Sequence, residues 1–259
     1  MTIQNQRLLL TEPLLHSQTA EQLEAFACNY KFDICSQLPS EQRLELLQLL
    51  YDHKSAFARD LSELRRYPYY EHDVELIANK RVYKRNFHFS PQDAKIVEDQ
   101  IRQMLEIRVV EKLDSEEYNS PCFLVSKKSG ERRFVVDFRQ LNSIIVQPVQ
   151  LPKIPELLDD IACHKCNIMS SVDMKAAFWQ ISLTPKSRKY TSFRSSKGEK
   201  FQWMVCPFGL STSPSAMVYV LLTVFAGKLG KGMWLYMDDL SIERSSWSEH
   251  LASIDPSPK

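Results

Sequence analysis

The sequence has few cysteines and no long apolar run, and these two absences narrow the class of protein. Its 6 cysteines are spread over 259 residues, too thinly for the disulfide framework of a small secreted domain, so we expect reduced thiols. The longest apolar run, residues 216–226, is interrupted by Tyr219 and Thr223 and falls short of the ~20 residues needed to span a bilayer. The N-terminus lacks the basic start and continuous apolar stretch of a signal peptide. We therefore expect an intracellular, cytoplasmic protein that does not interact with membranes.

Two motifs that would indicate other chemistry are incomplete or absent. Cys163 and Cys166 have the spacing of metal ligands, but no second such pair and no spaced histidine pair follows, so a zinc site is disfavoured. No Asp-Thr-Gly or Asp-Ser-Gly triplet occurs, so we expect no aspartic protease within the chain.

The net charge gives no global sign of nucleic-acid binding. The formal charge is +1, but residues 1–75 hold 7 basic and 12 acidic side chains, whereas residues 76–259 hold 26 and 20. So modest a basic excess is more often a solvated surface than a binding groove. A prediction of nucleic-acid binding therefore has to rest on motifs within residues 76–259 and not on the charge alone.

Helical and extended patterns alternate along the chain and predict an α+β fold. Residues 1–75 carry two helical patterns, neither of which contains a catalytic or binding motif, so we interpret them as a helical leader segment. Ser90 is a predicted helix N-cap, and Pro91 follows it at the first helical position. The predicted helices are 20–28, 41–51, 91–106, 156–162 and 213–226, and the predicted strands are 122–127, 133–138 and 167–173, with a β-rich stretch over 190–205.

Three carboxylates lie at the ends of predicted strands. Tyr236-Met237-Asp238-Asp239 sits between apolar triplets, which predicts a tight hairpin turn with adjacent acids. Asp is common in turns for conformational reasons alone, so an isolated pair would more often be structural. The pair is not isolated, because Asp173 ends the apolar strand predicted over 167–173. This pattern favours a site that presents carboxylates to a metal ion.

These motifs, in this order, resemble the reverse transcriptases of gypsy-type long-terminal-repeat retrotransposons. An acid-bearing strand is followed by Pro-Phe-Gly-Leu and then by Tyr-x-Asp-Asp, and the likeness covers roughly residues 70–252. The matching segments are Asn119-Ser120-Pro121, Lys127-Lys128-Ser129-Gly130, 133–142, 170–180, Pro207-Phe208-Gly209-Leu210 with Pro214, and 236–239.

The resemblance implies a right-hand polymerase architecture. It places a reverse transcriptase domain over residues 76–259, with fingers over approximately 80–148 and 181–212 and palm over approximately 149–180 and 213–252. An antiparallel palm sheet backed by helices is expected. After Trp247-Ser248-Glu249-His250-Leu251, which matches the next short family motif, the remaining residues match nothing, so a thumb is expected to be absent.

The resemblance also implies a two-metal site. Asp173, Asp238 and Asp239 occupy the positions of the family's catalytic, metal-binding carboxylates. Two Mg²⁺ ions about 4 Å apart are expected there, with Mn²⁺ as a possible substitute. Mg²⁺ takes hard oxygen ligands, typically one or two carboxylates together with substrate phosphates.

Five further residues match substrate-binding positions of the family. Lys127 and Arg133 resemble the fingers residues that neutralise the triphosphate. Phe178, five residues beyond the first acid, matches the ring that lies against the sugar of the incoming nucleotide and leaves no room for a 2′-hydroxyl. Phe208 stands at a substrate-binding position where lentiviral enzymes carry Gln and gypsy-type elements carry Phe, and Met237 would pack near the primer end. Taken alone, such phenylalanines are more often core residues.

The function implied is RNA-directed DNA polymerisation within a retrotransposon Pol polyprotein. Its partners would be an RNA or DNA template with a primer, and deoxynucleoside triphosphates. The alternative is a truncated, catalytically inactive remnant that at most binds nucleic acid. Primer extension with and without Mg²⁺ separates the two.

Overall fold

The described part of the chain falls into two compact units. The smaller contains the described residues through Phe57 together with Asp255, and the larger is Ala58–Ile254. This division follows contacts, so the functional boundaries at residue 75 and between fingers and palm stay predictions. Lys127, the helix predicted over 156–162 and Cys163 lie outside the described residues. The computed structural model describes residues 18–77, 80–115, 117–126, 130–146, 166–230 and 232–255.

Two of the helices begin at a residue whose side chain caps them. Thr19 and Gln22 exchange the reciprocal hydrogen bonds of a capping box at the first helix. The side chain of Ser90 accepts a hydrogen bond from the backbone N–H of Asp93 at 3.1 Å, which confirms the predicted start at Pro91. The helices are α1 (Ala20–Tyr30), α2 (Ser40–Asp52), α3 (Pro91–Glu106), α4 (Arg139–Asn142), α5 (Pro185–Arg188), α6 (Ser213–Val224) and α7 (Trp247–Ile254).

Short strands form four separate sheets in the described residues. The predicted strands over 122–127, 133–138 and 167–173 are confirmed with shifts of one or two residues at their ends. The strands are β1 (Glu71–His72), β2 (Val110–Lys112), β3 (Cys122–Ser126), β4 (Arg132–Val136), β5 (Ile168–Asp173), β6 (Ser182–Leu183), β7 (Phe193–Arg194), β8 (Lys200–Trp203), β9 (Met233–Tyr236) and β10 (Asp239–Arg244).

The sheet that carries the predicted acids has the order β5-β10-β9 and is antiparallel throughout. β10 pairs with β5 over its whole length, from Asp239 opposite Asp173 to Arg244 opposite Ile168. One face of the hairpin packs into a small apolar cluster. The buried residues of that cluster are Met233, Leu240 and Ile242.

The larger core lies under the remaining sheets. α3 buries Val97, Ile101 and Met104 on one face, at the spacing expected of an amphipathic helix. β2-β8-β7 and the β3-β4 hairpin are antiparallel, whereas β1 pairs with β6 in parallel. Helices and antiparallel sheets thus share one core in this unit, which confirms the α+β fold class. In the smaller unit, Leu23, Ala27 and Leu47 form a core of their own.

None of the helices described here is long and apolar enough to cross a membrane.

A buried histidine links α7 to the acid-bearing sheet. The His250 side chain is buried, and its Nε2 lies 2.8 Å from the Ser170 hydroxyl on β5. Its Nδ1 has no hydrogen-bond partner among the described residues. Burial, and secondarily the Arg244 guanidinium, lowers the pKa of His250 below 6.5. His250 is therefore neutral in the folded protein at neutral pH.

We predict that His250 makes the free energy of unfolding fall as the pH drops from about 6.5 towards 5. The unfolded chain takes up a proton there that the folded chain resists, so stability is lost by at most about 1.4 kcal/mol per pH unit. Urea unfolding of His250→Gln should show a shallower pH dependence. The exposed His88→Gln serves as the control, and equal slopes in both variants would contradict the prediction.

Candidate active site

The Asp-Asp hairpin is closed by a two-residue turn. Met237 and Asp238 form the turn, and Asp239 is already the first residue of β10. Met237 has φ of 52°, in the left-handed region that a tight two-residue hairpin requires. Such a φ is uncommon for a residue other than glycine. The turn therefore presents Asp238 at the tip while Asp239 remains within the strand register.

The register of β10 brings the third acid to the same corner. Asp239 lies directly opposite Asp173, and directly opposed residues of an antiparallel pair extend from the same face. The backbone N–H of Met174 donates to the Asp238 carbonyl at 3.2 Å, which ties the end of β5 to the turn. All three predicted carboxylates are therefore carried by adjacent backbone.

These three acids have no partner for their side chains in the described part of the chain. Asp173 and Asp239 are exposed and Asp238 is half-buried, and none of them takes part in an ion pair or side-chain hydrogen bond there. Lys175, two residues beyond Asp173, instead donates from Nζ to the backbone carbonyls of Ala58 and Arg59. Opposed like charges are destabilising, so a cation would be favoured at this corner.

No group of three His, Cys, Asp or Glu side chains within the described ranges is arranged to hold a metal ion. The donor chemistry nevertheless suits Mg²⁺, which needs only one or two carboxylates when substrate phosphates supply the other oxygens. Asp173 and Asp238, from β5 and from the turn tip, offer hard oxygen donors with no competing partner. The residues present fit a cation that binds together with a substrate.

Three of the predicted substrate-binding residues meet in one cluster. The Phe208 ring lies with its centroid 5.2 Å from that of Phe178, and the Arg133 guanidinium carbon lies 4.7 Å from the Phe208 centroid. A guanidinium over an aromatic face is an attractive cation–π arrangement. Trp179 also contacts Phe208, at 5.9 Å between centroids. Residues from three distant parts of the chain thus form one arginine-capped aromatic cluster.

A glycine and an asparagine set the position of Phe208. Gly209 has φ of +86°, so the chain turns sharply after the phenylalanine at a position where a side chain would be strained. Asn142 donates from Nδ2 to the Gly209 carbonyl and accepts from the Ser211 backbone N–H, both at 2.9 Å. The asparagine therefore holds both sides of the turn.

Asp137 anchors the helix that carries Asn142. Its carboxylate is nearly buried and accepts two hydrogen bonds from the Arg139 guanidinium, each at 2.8 Å. Lys84 lies 3.4 Å away as a second cation. The Arg139 hydrogen bonds hold the pKa of Asp137 well below its usual range. The carboxylate therefore stays charged and keeps the N-terminal end of α4 in place.

The structure thus brings the predicted residues into two groups and leaves one out. The acids Asp173, Asp238 and Asp239 share one corner with Met237, and Arg133, Phe178 and Phe208 form the aromatic cluster. Lys127 lies outside the described residues. Sequence reasoning did not single out Asn142, Trp179 or Lys175, because their roles depend on contacts between distant segments.

Comparison with known proteins identifies the family. A family profile described as "Reverse transcriptase (RNA-dependent DNA polymerase)" matches residues 125–255. The chain belongs to the reverse transcriptase family. The Pol polyprotein of the Drosophila melanogaster transposon 412 is 31% identical over 67% of the chain, and that of the transposon gypsy is 28% identical over 96%. This reverse transcriptase chain spans only 14% and 25% of those polyproteins.

A solved structure shows that the fold is also that of reverse transcriptases. The foamy viral protease-reverse transcriptase in complex with an RNA/DNA hybrid matches with a TM-score of 0.75 and 20% identity, over 98% of this chain and 32% of that one. The expected α+β reverse transcriptase fold is confirmed.

We predict that Asn142→Ala lowers the free energy of unfolding by about 1–3 kcal/mol, because it leaves the Gly209 carbonyl and the Ser211 N–H without their partner. Urea denaturation followed by tryptophan fluorescence measures the change. Ser143→Ala, which removes only a local hydrogen bond to Gln140, is the control. Equal stabilities of the two variants would show that Asn142 does not hold the turn.

Proposed function

We propose that this reverse transcriptase domain catalyses RNA-directed DNA synthesis by two-metal nucleotidyl transfer. The single observation that carries the proposal is the register that sets Asp173 beside the Asp238-Asp239 hairpin. The acids at that corner supply negative charge for a cation. The Arg133 guanidinium on the aromatic cluster supplies positive charge for a triphosphate. The profile and the Pol polyprotein relatives support the reaction class.

The carboxylates have the task of holding cations against the substrate phosphates. Asp173 and Asp238 would be the ligands, with Asp239 next to them in the strand. Bound Mg²⁺ would activate the attacking 3′-hydroxyl and neutralise charge on the leaving pyrophosphate. The pairing of β5 with β10 and the hydrogen bond from the Met174 N–H to the Asp238 carbonyl keep Asp173 close to Asp238, so the separation of the two acids is set by the sheet.

Arg133 has the task of binding the triphosphate. Its guanidinium is exposed, and the planar fork can bind two phosphate oxygens at once while one face rests on Phe208. The ring limits the directions in which the guanidinium can point, which reduces the ordering cost on binding. Lys127, on the same predicted hairpin, would add a point charge.

Phe178 is proposed to discriminate between sugars. Its ring is half-buried and packed against Phe208, so it has little freedom to move aside. A 2′-hydroxyl would meet this ring, whereas a deoxyribose would pass. Discrimination here works by a clash with the wrong substrate.

A primed template is the proposed polymeric substrate. The foamy viral enzyme of like fold is in complex with an RNA/DNA hybrid, and we extend that partner to this chain as part of the proposal. Met237, at the tip of the hairpin, would lie near the primer end.

We predict that Asp173→Asn and Asp238→Asn each reduce Mg²⁺-dependent primer extension by 100-fold or more, because a lost transition-state contact of a few kcal/mol has that effect. Template-primer binding should remain nearly unchanged. Single-nucleotide extension on an RNA template measures the rate, with the exposed Asp114→Asn as control. More than about a tenth of the wild-type rate in Asp173→Asn would remove it from the metal site.

The alternative is a domain that binds nucleic acid without catalysis. The same assay decides, since such a domain would shift a template-primer in a gel yet incorporate nothing with Mg²⁺ or Mn²⁺.

We predict that Phe178→Val raises the ratio of ribonucleotide to deoxyribonucleotide incorporation by at least about tenfold, because the smaller side chain removes the clash. Competing incorporation of a ribo- and a deoxynucleotide measures this ratio. Unchanged sugar discrimination with intact deoxynucleotide extension would make Phe178 a packing residue only.

A further inference from the structure

Three arginines from distant parts of the chain meet beside the end of α3. The Arg66 side chain donates from Nη2 to the backbone carbonyl of Arg108. Arg188, at the end of α5, donates from Nη1 to Glu111 Oε1 and from Nε to the Leu183 carbonyl, each at 3.3 Å. The Arg66 guanidinium lies within electrostatic range of both other arginines and of Glu111 on β2. We call Arg66, Arg108 and Arg188 the arginine triad.

The triad carries more positive charge than its surroundings neutralise. Glu111 pairs with Arg188, whereas neither Arg66 nor Arg108 forms an ion pair within the described ranges. Glu111 Oε1 also accepts a hydrogen bond from Gln202 Nε2 at 2.7 Å, so this carboxylate is shared. Three guanidinium groups beside one carboxylate leave an excess of two positive charges.

This excess charge is held partly out of solvent. The Arg188 side chain is only 18% exposed and Arg66 is half-buried, while Arg108 is exposed. Burial, and then the like charges of Arg188 and Arg108, lower the pKa of Arg66 below its usual value. Arginine nevertheless stays protonated in proteins, so loss of a proton does not relieve the repulsion. An anion bound between the three groups would relieve it.

Arg108 occupies a backbone position that favours glycine. Its φ is 57°, in the left-handed region, directly after the last turn of α3. The N–H groups of Arg108 and Val109 donate to the carbonyls of Leu105 and Met104, both at 3.0 Å, which is the Schellman motif of a helix end. Glycine adopts this φ without strain. The end of α3 therefore does not require an arginine at this position, and the exposed charge can serve another role.

We propose that the arginine triad binds the phosphate monoester group of a small molecule, or inorganic phosphate itself. Such a group carries about 1.5 to 2 negative charges at neutral pH, which matches the excess of two. Guanidinium forks bind phosphate oxygens in pairs, and Nη2 of Arg188 has no hydrogen-bond partner in the part of the chain that the structure describes. A phosphodiester carries a single charge and would leave part of the excess uncompensated, so a nucleic-acid backbone fits less well.

This phosphate site is separate from the proposed polymerase site. The triad shares no residue with the acid corner or with the aromatic cluster. Phosphate binding by the triad therefore does not depend on whether the chain polymerises DNA.

The test measures binding of inorganic phosphate and of adenosine 5′-monophosphate to the full chain by calorimetry. EDTA is present, so that no metal occupies the acid corner, and adenosine is the matched ligand without a phosphate. The wild type should bind both phosphate compounds with a Kd of about 1 mM or tighter at low salt, and adenosine should not bind. Failure of both phosphate compounds to bind would overturn the proposal. Tighter binding of the monophosphate than of inorganic phosphate would show that the nucleoside contributes contacts of its own.

Arg108→Gly is the sharpest variant, because it removes one charge of the triad and relieves the backbone at the same time. It should weaken phosphate binding about tenfold or more, while the Tm without phosphate stays equal or rises. The control is Lys31→Gly, since Lys31 is also an exposed cation at positive φ, 58°, just after α1. Arg66→Gln should weaken binding as Arg108→Gly does, and Arg66→Lys replaces it if that variant is unfolded.

Three results would overturn the proposal. An equal loss of phosphate binding in Lys31→Gly would show a general charge effect. A loss in Arg133→Ser with none in Arg108→Gly would place the phosphate at the proposed triphosphate site. Weaker binding of a blunt RNA/DNA duplex by Arg108→Gly, with phosphate binding unchanged, would make the triad a nucleic-acid contact.

Primer extension by the same proteins separates this proposal from the proposed function. Arg108→Gly should extend a primer at the wild-type rate. Phosphate binding that depends on the triad, in a chain that extends no primer, would remove the polymerase and leave the phosphate site.

Discussion

The site depends above all on the pairing of β10 with β5. Asp239 opposite Asp173 is the last of six consecutive pairs, and the other five fix that register through backbone hydrogen bonds and side-chain alternation. A slip of one residue would move every side chain of β10 to the other face of the sheet. The buried Leu240 and Ile242 would then face solvent. The register that buries these apolar side chains is therefore the same register that positions the acids.

The aromatic cluster depends on contacts across much longer distances in the chain. Phe208 is held where Arg133 and Phe178 reach it because Gly209 permits the turn and Asn142 holds both sides of it. Asp137 in turn keeps the helix of Asn142 in place. The charge of a buried carboxylate thus stabilises, through three successive contacts, the surface proposed to receive the triphosphate.

Local signals predicted the elements well and the contacts poorly. α3 begins at the Ser90-Pro91 cap and ends at Glu106 as predicted, because capping and amphipathic spacing act within a few residues. The two-residue strands Glu71–His72 and Ser182–Leu183 have no such local signal, since each exists only through its partner. The assignment of Arg133, Phe178 and Phe208 to substrate binding came from family resemblance. Their contact with one another was not predicted, because no periodicity links residues so far apart.

The position of a bound cation would show directly whether Asp173 and Asp238 are the metal ligands. Crystals of the chain with primed template, a non-hydrolysable deoxynucleoside triphosphate and Mn²⁺ would reveal the ion through its anomalous scattering. We expect an anomalous peak within about 2.0–2.5 Å of carboxylate oxygens of both Asp173 and Asp238, from an ion that triphosphate oxygens also coordinate. A bound triphosphate with no peak at this corner, or with manganese held by other side chains, would contradict it.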